Sequence, residues 1–477
     1  MDAIPIAIAL GLVLMAGMTV FYSVVREPKQ YYRLERLTYS YPLGLAAFGV
    51  SLVVASLAGF RLNAWVAGGI VLGAAFIATK VRGVPVRAYW LSPQAEGMPK
   101  VPLTEMEWLL VFIIILCLSA RTMASLMTPM YDWDALCFWG LKAKILYFST
   151  VRDSGMYFHS PEYQFSNQTY PLLFPMMYAW VCTVLGRWDD LRMMAINPLN
   201  LIAFTALIYF TARRYVRRVI ALTMAALVAS LPASIHYAEC AQADIPLMLL
   251  SGASLFALFD WIRSRRLESI LLAAVLMGGA LNTKHEGQIL FGVQVLVAAA
   301  TILWLAPRAE RRRLCGHLGC YIGIAVAMFL PWLVYRSTIP KEAWQLGGEG
   351  FDRFRWEQLP TFLYAIGQNA VHWYNGVGLP KWNFLWTVIV LFVLLSKSTW
   401  RTPWVFLLIV YLVHASTIIL IHLASHVELT LGHEFALERY TLAMLPPLWL
   451  LLAKCVDEWW AVWESPREKS PRKPQTA

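Results

Sequence analysis

Tyr131-Asp132-Trp133-Asp134-Ala135-Leu136-Cys137-Phe138-Trp139-Gly140 follows closely on an apolar run at 106–127. A run of that length crosses the hydrocarbon core of a bilayer, which takes about 20 residues. Two carboxylates therefore stand at the mouth of a membrane helix, with aromatic rings between and after them. Acids at a bilayer boundary need water or a chemical role. The stretch reads as part of an active site at a membrane surface. It sets the expected fold class, an all-α polytopic membrane protein.

Composition agrees. Of 477 residues, 59% are hydrophobic and 14% charged, against about 25% charged in a soluble domain. Mean hydropathy is +0.55. Apolar segments predict spanning helices at 3–25, 41–60, 64–81, 106–127, 191–212, 217–236, 244–261, 268–284, 288–305, 315–335, 382–396, 403–423 and 439–456, thirteen in all. The net charge of +11 comes from Lys and Arg in short clusters between these runs. That is the pattern that orients a membrane chain, and it excludes nucleic acid as the partner it would otherwise suggest. With thirteen crossings, the clusters around 26–36, 80–100, 213–218, 263–266, 308–313, 397–401 and 467–473 all fall on one side. That side is the cytoplasm, which puts the N-terminus outside and the C-terminus inside, in a membrane expected to be a bacterial plasma membrane.

The segment 170–186 is apolar but short, and begins Tyr170-Pro171 with Pro175 close behind. A crossing there would reverse the charge agreement, so it is expected to be an interfacial or re-entrant helix on the outer face. The outer segments are then 128–190, 336–381 and 424–438, and 464–477 is a disordered basic cytoplasmic tail. Their aromatics, among them Trp133, Trp139, Tyr157, Tyr163, Tyr170, Trp344, Trp356, Trp373, Tyr374 and Trp382, suit an interfacial belt or a sugar-stacking surface. The seven cysteines show no CxxC and no ligand spacing with His, so neither a disulfide framework nor zinc is expected. Met1-Asp2 opens the chain with no basic stretch, which argues against a cleaved leader.

Four clusters carry candidate chemistry. Asp132 and Asp134 point to opposite faces if extended, or about 200° apart if helical. Each is either a base or the cap of the helix that follows, and the pair together has the form of a Mg²⁺ or Mn²⁺ site. Glu239 and Asp244 lie in the hairpin His236–Pro246, where Asp244 is also placed as a helix cap. Asn282-Thr283-Lys284-His285-Glu286-Gly287 interrupts an apolar stretch. Lys, His and Glu are costly in a turn at membrane depth unless they face a wet cavity, and Lys284 suits a phosphate. Arg439 enters the last helix and suits either a phosphate or an interfacial snorkelling position.

The order of these motifs resembles the GT-C membrane glycosyltransferases, nearest the protein-mannosyltransferase-like and aminoarabinose-transferase-like branch that uses polyprenyl-phosphate sugars. The resemblance covers 105–300, with a looser match at 439–447. It divides the chain into 1–104, three transmembrane helices of unassigned role; 105–335, the catalytic core with outer loop 128–190; 336–463, an outer loop and C-terminal helices; and the tail 464–477. It implies Asp134, with Asp132 as competitor, as the catalytic carboxylate, a general base. Lys284, Arg439, His285 and Glu286 would meet the donor phosphate, and Asp244 and Glu239 would form an acceptor or second-loop site. It implies transfer of a sugar from a polyprenyl-phosphate donor to a glycan, lipid or protein on the extracytoplasmic face, with no cofactor. The alternatives are a transporter or flippase of a lipid-linked glycan, or a glycan polymerase or ligase. A transporter predicts charges at mid-membrane on broken helices, whereas here they gather near one face.

Overall fold

A computed structural model describes residues 2–26, 31–82, 102–340, 356–361, 363–364, 367, 383–424 and 433–464. The described residues are helical, with no strand. The chain opens with α1 (Ala3–Val24), α2 (Arg33–Leu57), α3 (Ala64–Arg82) and α4 (Glu105–Met127). The first large loop holds a π-helical turn at Ala135–Gly140, then α5 (Leu141–Phe148), α6 (Gly155–His159) and α7 (Leu173–Leu185). The core follows as α8 (Ile196–Arg213), α9 (Arg218–Ser230), α10 (Pro232–Glu239), α11 (Asp244–Ser264), α12 (Leu267–Leu281), α13 (Glu286–Leu305) and α14 (Arg308–Arg336). The end is α15 (Asn383–Leu395), α16 (Val405–Ala424) and α17 (His433–Glu464).

Each of the thirteen predicted segments falls on a helix, and 217–236 is split in two. Pro232 cannot donate a backbone hydrogen bond, so it ends α9 and serves as the first residue of α10. Among the described residues, eight helices are long and apolar enough to cross a membrane, and Leu173–Leu185, Arg218–Ser230, Leu267–Leu281 and Val405–Ile421 are shorter apolar helices. The loop residues 341–355, 368–382 and 425–432, the tail 465–477, and the side chains of His422 and His433 lie outside the described set.

The segment 170–186 contains the expected short helix, and it packs on protein. Helix α7 is buried from Leu173 to Cys182 and packs against α1, α2 and α5, with the Trp180 indole N–H donating to the Ala9 carbonyl at 3.1 Å. An interfacial helix needs one polar face. Leu173, Phe174, Met177, Trp180 and Val181 leave none, so the helix takes protein on all sides.

Helix α11 is the axis of the bundle, almost wholly buried, with α2, α8, α12 and α17 against it. The N-terminal region is thus no appendage. Lipid tails are as apolar as Leu, so helix association rests on close packing. A Cβ on Gly17 would lie 1.7 Å from the Ser40 carbonyl oxygen, and one on Gly44 would lie 1.9 Å from that of Val13. Only glycine lets α1 and α2 cross that closely.

Charge is sorted along the bundle. Arg214 pairs with Glu35 at 2.6 Å, Arg217 with Asp457 and Glu464, and the Arg26 amide donates to Glu268. Arg218 grips both oxygens of Glu107 at 2.7 Å, the strong two-pronged geometry of arginine. These pairs tie ends of α1, α2, α4, α8, α9, α12 and α17 together at one end of the molecule. Asp260, 3.8 Å from Arg214, marks that end on α11. Asp244 lies sixteen residues away on the same helix, about 24 Å along the axis.

The α1–α2 crossing is open to test. Gly44→Leu forces backbone apart and lowers stability by about 3 kcal/mol or more. Gly11→Ala, on α1, meets nothing within 4 Å and is neutral. Thermal melting in detergent reads the difference, and equal melting points would mean that α1 and α2 do not cross there.

Candidate active site

At the end of the bundle opposite the arginine clusters, Asp134, Phe138, Trp139, Tyr170, Lys284, Glu286 and Arg439 line a small, partly open cavity. Three of these come from the π-helical turn. In an α-helix, advancing 100° per residue, Trp139 would sit about 140° around from Asp134. The wider turn brings positions 134, 138 and 139 to one wall. Such single-turn π segments recur at functional sites. Gly140 closes the turn, since a Cβ there would lie 2.9 Å from the Ala135 carbonyl oxygen.

The two aspartates separate. Asp132 Oδ1 accepts from the Asp134 amide at 3.0 Å and the Ala135 amide at 3.4 Å, and from Gln242 Nε2 at 2.8 Å. It caps the first turn and faces the α10–α11 loop. Asp134 Oδ2 meets Arg439 Nη1 at 2.5 Å, and among the described residues its Oδ1 accepts no hydrogen bond. Asp134 is the aspartate on the cavity wall.

Behind it runs a chain of alternating charge. Arg439 Nη2 reaches Asp244 Oδ2 at 3.2 Å, and Asp244 Oδ1 accepts from Lys284 Nζ at 2.9 Å. Lys284 also lies 2.9 Å from Glu286 Oε1. Asp244 is buried and spent on two cations, so it orders the others and does not itself face the cavity. Lys284 is placed by the tight α12–α13 turn. The Gly287 amide donates to the Lys284 carbonyl at 3.0 Å, and a Cβ on Gly287 would lie 2.2 Å from the Ala280 carbonyl oxygen. Asn282 fastens this turn to α14 through the Met328 carbonyl, and its own carbonyl accepts from the Leu173 amide. The Tyr170-Pro171 loop is thereby seated on the turn.

His285 does not line the cavity. Its ring stacks on Tyr170, 4.5 Å between centroids, and supports that wall from behind. Glu239 also lies away from the cavity and pairs with Arg121 at 2.7 Å. Beside that pair the Tyr131 hydroxyl is 3.0 Å from Cys240 Sγ, and burial pushes the Cys240 thiol up to about 12. Lys142 was not singled out by sequence. It is wholly buried, donates to the Ser166 and Asn167 carbonyls at 2.9 and 2.6 Å, and lies near the Trp139 and Tyr170 rings. It ties the loop 166–170 to α5. Its position inside the Lys142-Ala143-Lys144 run gave no sign of this, because the pairing partners are backbone atoms. Among the described residues no group of three His, Cys, Asp or Glu side chains has the arrangement of a metal site.

Residues 170–335 match the family model described as dolichyl-phosphate-mannose-protein mannosyltransferase. The matched stretch runs from the Tyr170 loop through the Lys284 turn to the end of α14. Among curated proteins none matches the chain. The match and the helical bundle bear out the expected class, an integral membrane glycosyltransferase of the GT-C type.

Burial, and then the nearby Arg336, Lys142 and Lys284, hold the His285 ring well below its ordinary range and therefore neutral. The unfolded chain takes up a proton near pH 6.5 and the folded ring does not. Stability is thus unaffected above about pH 6.5 and falls as pH drops below it, by up to about 1.4 kcal/mol per pH unit. His285→Asn removes this slope, so its melting temperature declines less steeply than that of the wild type between about pH 6.5 and 5. Parallel curves would show that the ring is not held neutral.

Proposed function

We propose that the chain transfers a sugar from a polyprenyl-phosphate donor to a glycan, lipid or protein acceptor, on the membrane face opposite the arginine clusters. Asp134 is the general base. The observation that carries this reading is the cavity wall shared by Asp134, Lys284 and Arg439, which come from three separate parts of the sequence. Positive-inside bias makes the arginine end cytoplasmic and the cavity extracytoplasmic. A nucleotide sugar is not needed there, since the lipid phosphoester stores the activation.

In the reaction, the acceptor hydroxyl gives its proton to the open oxygen of Asp134 as it attacks the anomeric carbon. The lipid phosphate departs with the bonding pair. Its charge meets Lys284 and Arg439, cations already oriented by Asp244 before the donor arrives, so little reorganisation accompanies the step. Placement of these ion pairs at the two ends of the bundle, and not midway along it, favours surface chemistry over passage of a glycan through it. The helices of 1–104 brace the core through α2, and the donor and acceptor meet on 105–335 together with Arg439.

Asp134→Asn lowers transfer by about 10² to 10⁴ with folding retained, measured on purified protein with a radiolabelled polyprenyl-phosphate sugar. Asp132→Asn, which keeps a capping oxygen, retains most activity. If Asp132→Asn is dead and Asp134→Asn active, the base is assigned two residues wrongly. Lys284→Ala weakens donor binding. Cysteine labelling in intact membranes provides the topological check, since reagent access to positions 134 and 284 from opposite sides would end the proposal.

A further inference from the structure

Among the described residues, twelve buried side-chain nitrogen or oxygen atoms lack a hydrogen-bond partner. Three of them, Trp139 Nε1, Glu286 Oε2 and Arg439 Nε, belong to the seven residues lining this one cavity. An unpaired buried polar atom loses its hydration with nothing in return. Their clustering marks a site whose polar partners arrive with a ligand. We propose that Glu286 is a specificity-determining residue, its Oε2 accepting a hydrogen bond from a ring hydroxyl of the donor's sugar, with the Trp139 indole N–H as the complementary donor on the same wall. This rests on the polyprenyl-phosphate reading above.

The assignment follows from what each ligand group offers. The donor phosphate is an anion and an acceptor, so a carboxylate oxygen repels it. The acceptor hydroxyl is taken by Asp134. Within the donor, the sugar ring alone carries O–H donors. Lys284 holds Glu286 Oε1 at 2.9 Å and so fixes the plane in which Oε2 lies. Trp139 is fully buried, with its ring held against Tyr170 and Phe174. Both groups are therefore set in place before a sugar enters. A site built to bond one hydroxyl discriminates strongly against the analogue lacking it, because its own buried group is then left unpaired.

The test uses the full chain in lipid nanodiscs. Its probes are mannosyl-phosphoryl polyprenol with each of its singly deoxygenated analogues, and the corresponding glucosyl, galactosyl and arabinosyl donors. Equilibrium affinity is measured for the wild type, Glu286→Met and Glu286→Gln. For the sugar that binds, one deoxygenation costs the wild type about 10²-fold or more. In Glu286→Met that penalty shrinks to about 3-fold while the penalties at other positions stay as they were. Glu286→Gln, which keeps the shape and loses the charge-assisted bond, falls between. If Glu286 only braces Lys284, every donor weakens by the same factor and the pattern of deoxygenation penalties is unchanged, which overturns the assignment. If no polyprenyl-phosphate sugar binds the wild type, the donor reading itself fails and this inference goes with it.

Discussion

A line of five charges, Asp134–Arg439–Asp244–Lys284–Glu286, organises this molecule. Taking any one of these groups out of water alone would cost several kcal/mol. In alternation each ion lies against an opposite neighbour. Asp244 and Lys284 are only 4% exposed, so for them the pairing is a condition of being charged at all. The line joins the start of the π-helical turn to α17, α11 and the α12–α13 turn. The surrounding packing serves to hold those pieces in register. Gly287 lets the turn close, Asn282 fixes it to α14, and Tyr170 covers it with His285 behind. The five formal charges sum to −1, with two cations already positioned. Three carboxylates hold those two cations, so neither cation stands without a counter-charge.

The opposite end of the bundle solves a different problem with the same residue types. There the arginines outnumber what the site end holds and pair with acids on neighbouring helices. Arg218 with Glu107 and Arg214 with Glu35 each join elements far apart in sequence. The distribution serves two purposes, biasing insertion and fastening helix ends. Between the two ends the chain relies on small residues for close approach, as at Gly17 and Gly44, and on α11 as a buried axis. The N-terminal helices, which lie outside the family likeness, enter the core through α2.

Much of this was legible in the sequence. Apolar length alone marked the helices, because a bilayer imposes a minimum span. Charges at helix mouths marked Asp134, Asp244, Lys284, Glu286 and Arg439, because ionisable groups there are costly without a purpose. What sequence did not show had physical causes. The division of labour between Asp132 and Asp134 depends on a π-helical turn, whose periodicity leaves no compositional trace. Helix α7 was read as interfacial or re-entrant because a crossing there would reverse the charge agreement. Its lack of a polar face, also in the sequence, fits its packing against protein. Glu239 and His285 were chosen for charge and position, yet Arg121 claims one and Tyr170 the other, and such pairings form only in three dimensions. Lys142 was passed over because its partners are carbonyls.

The span between Asp134 and Arg439 is 305 residues of sequence. A ribosome delivering this chain sets the aspartate in place early and the arginine only when α17 emerges. Until then Asp134 and Asp244 lack the cation that joins them, and the line of charges is incomplete. The arrangement is therefore absent through most of the chain's insertion and forms in a single late event.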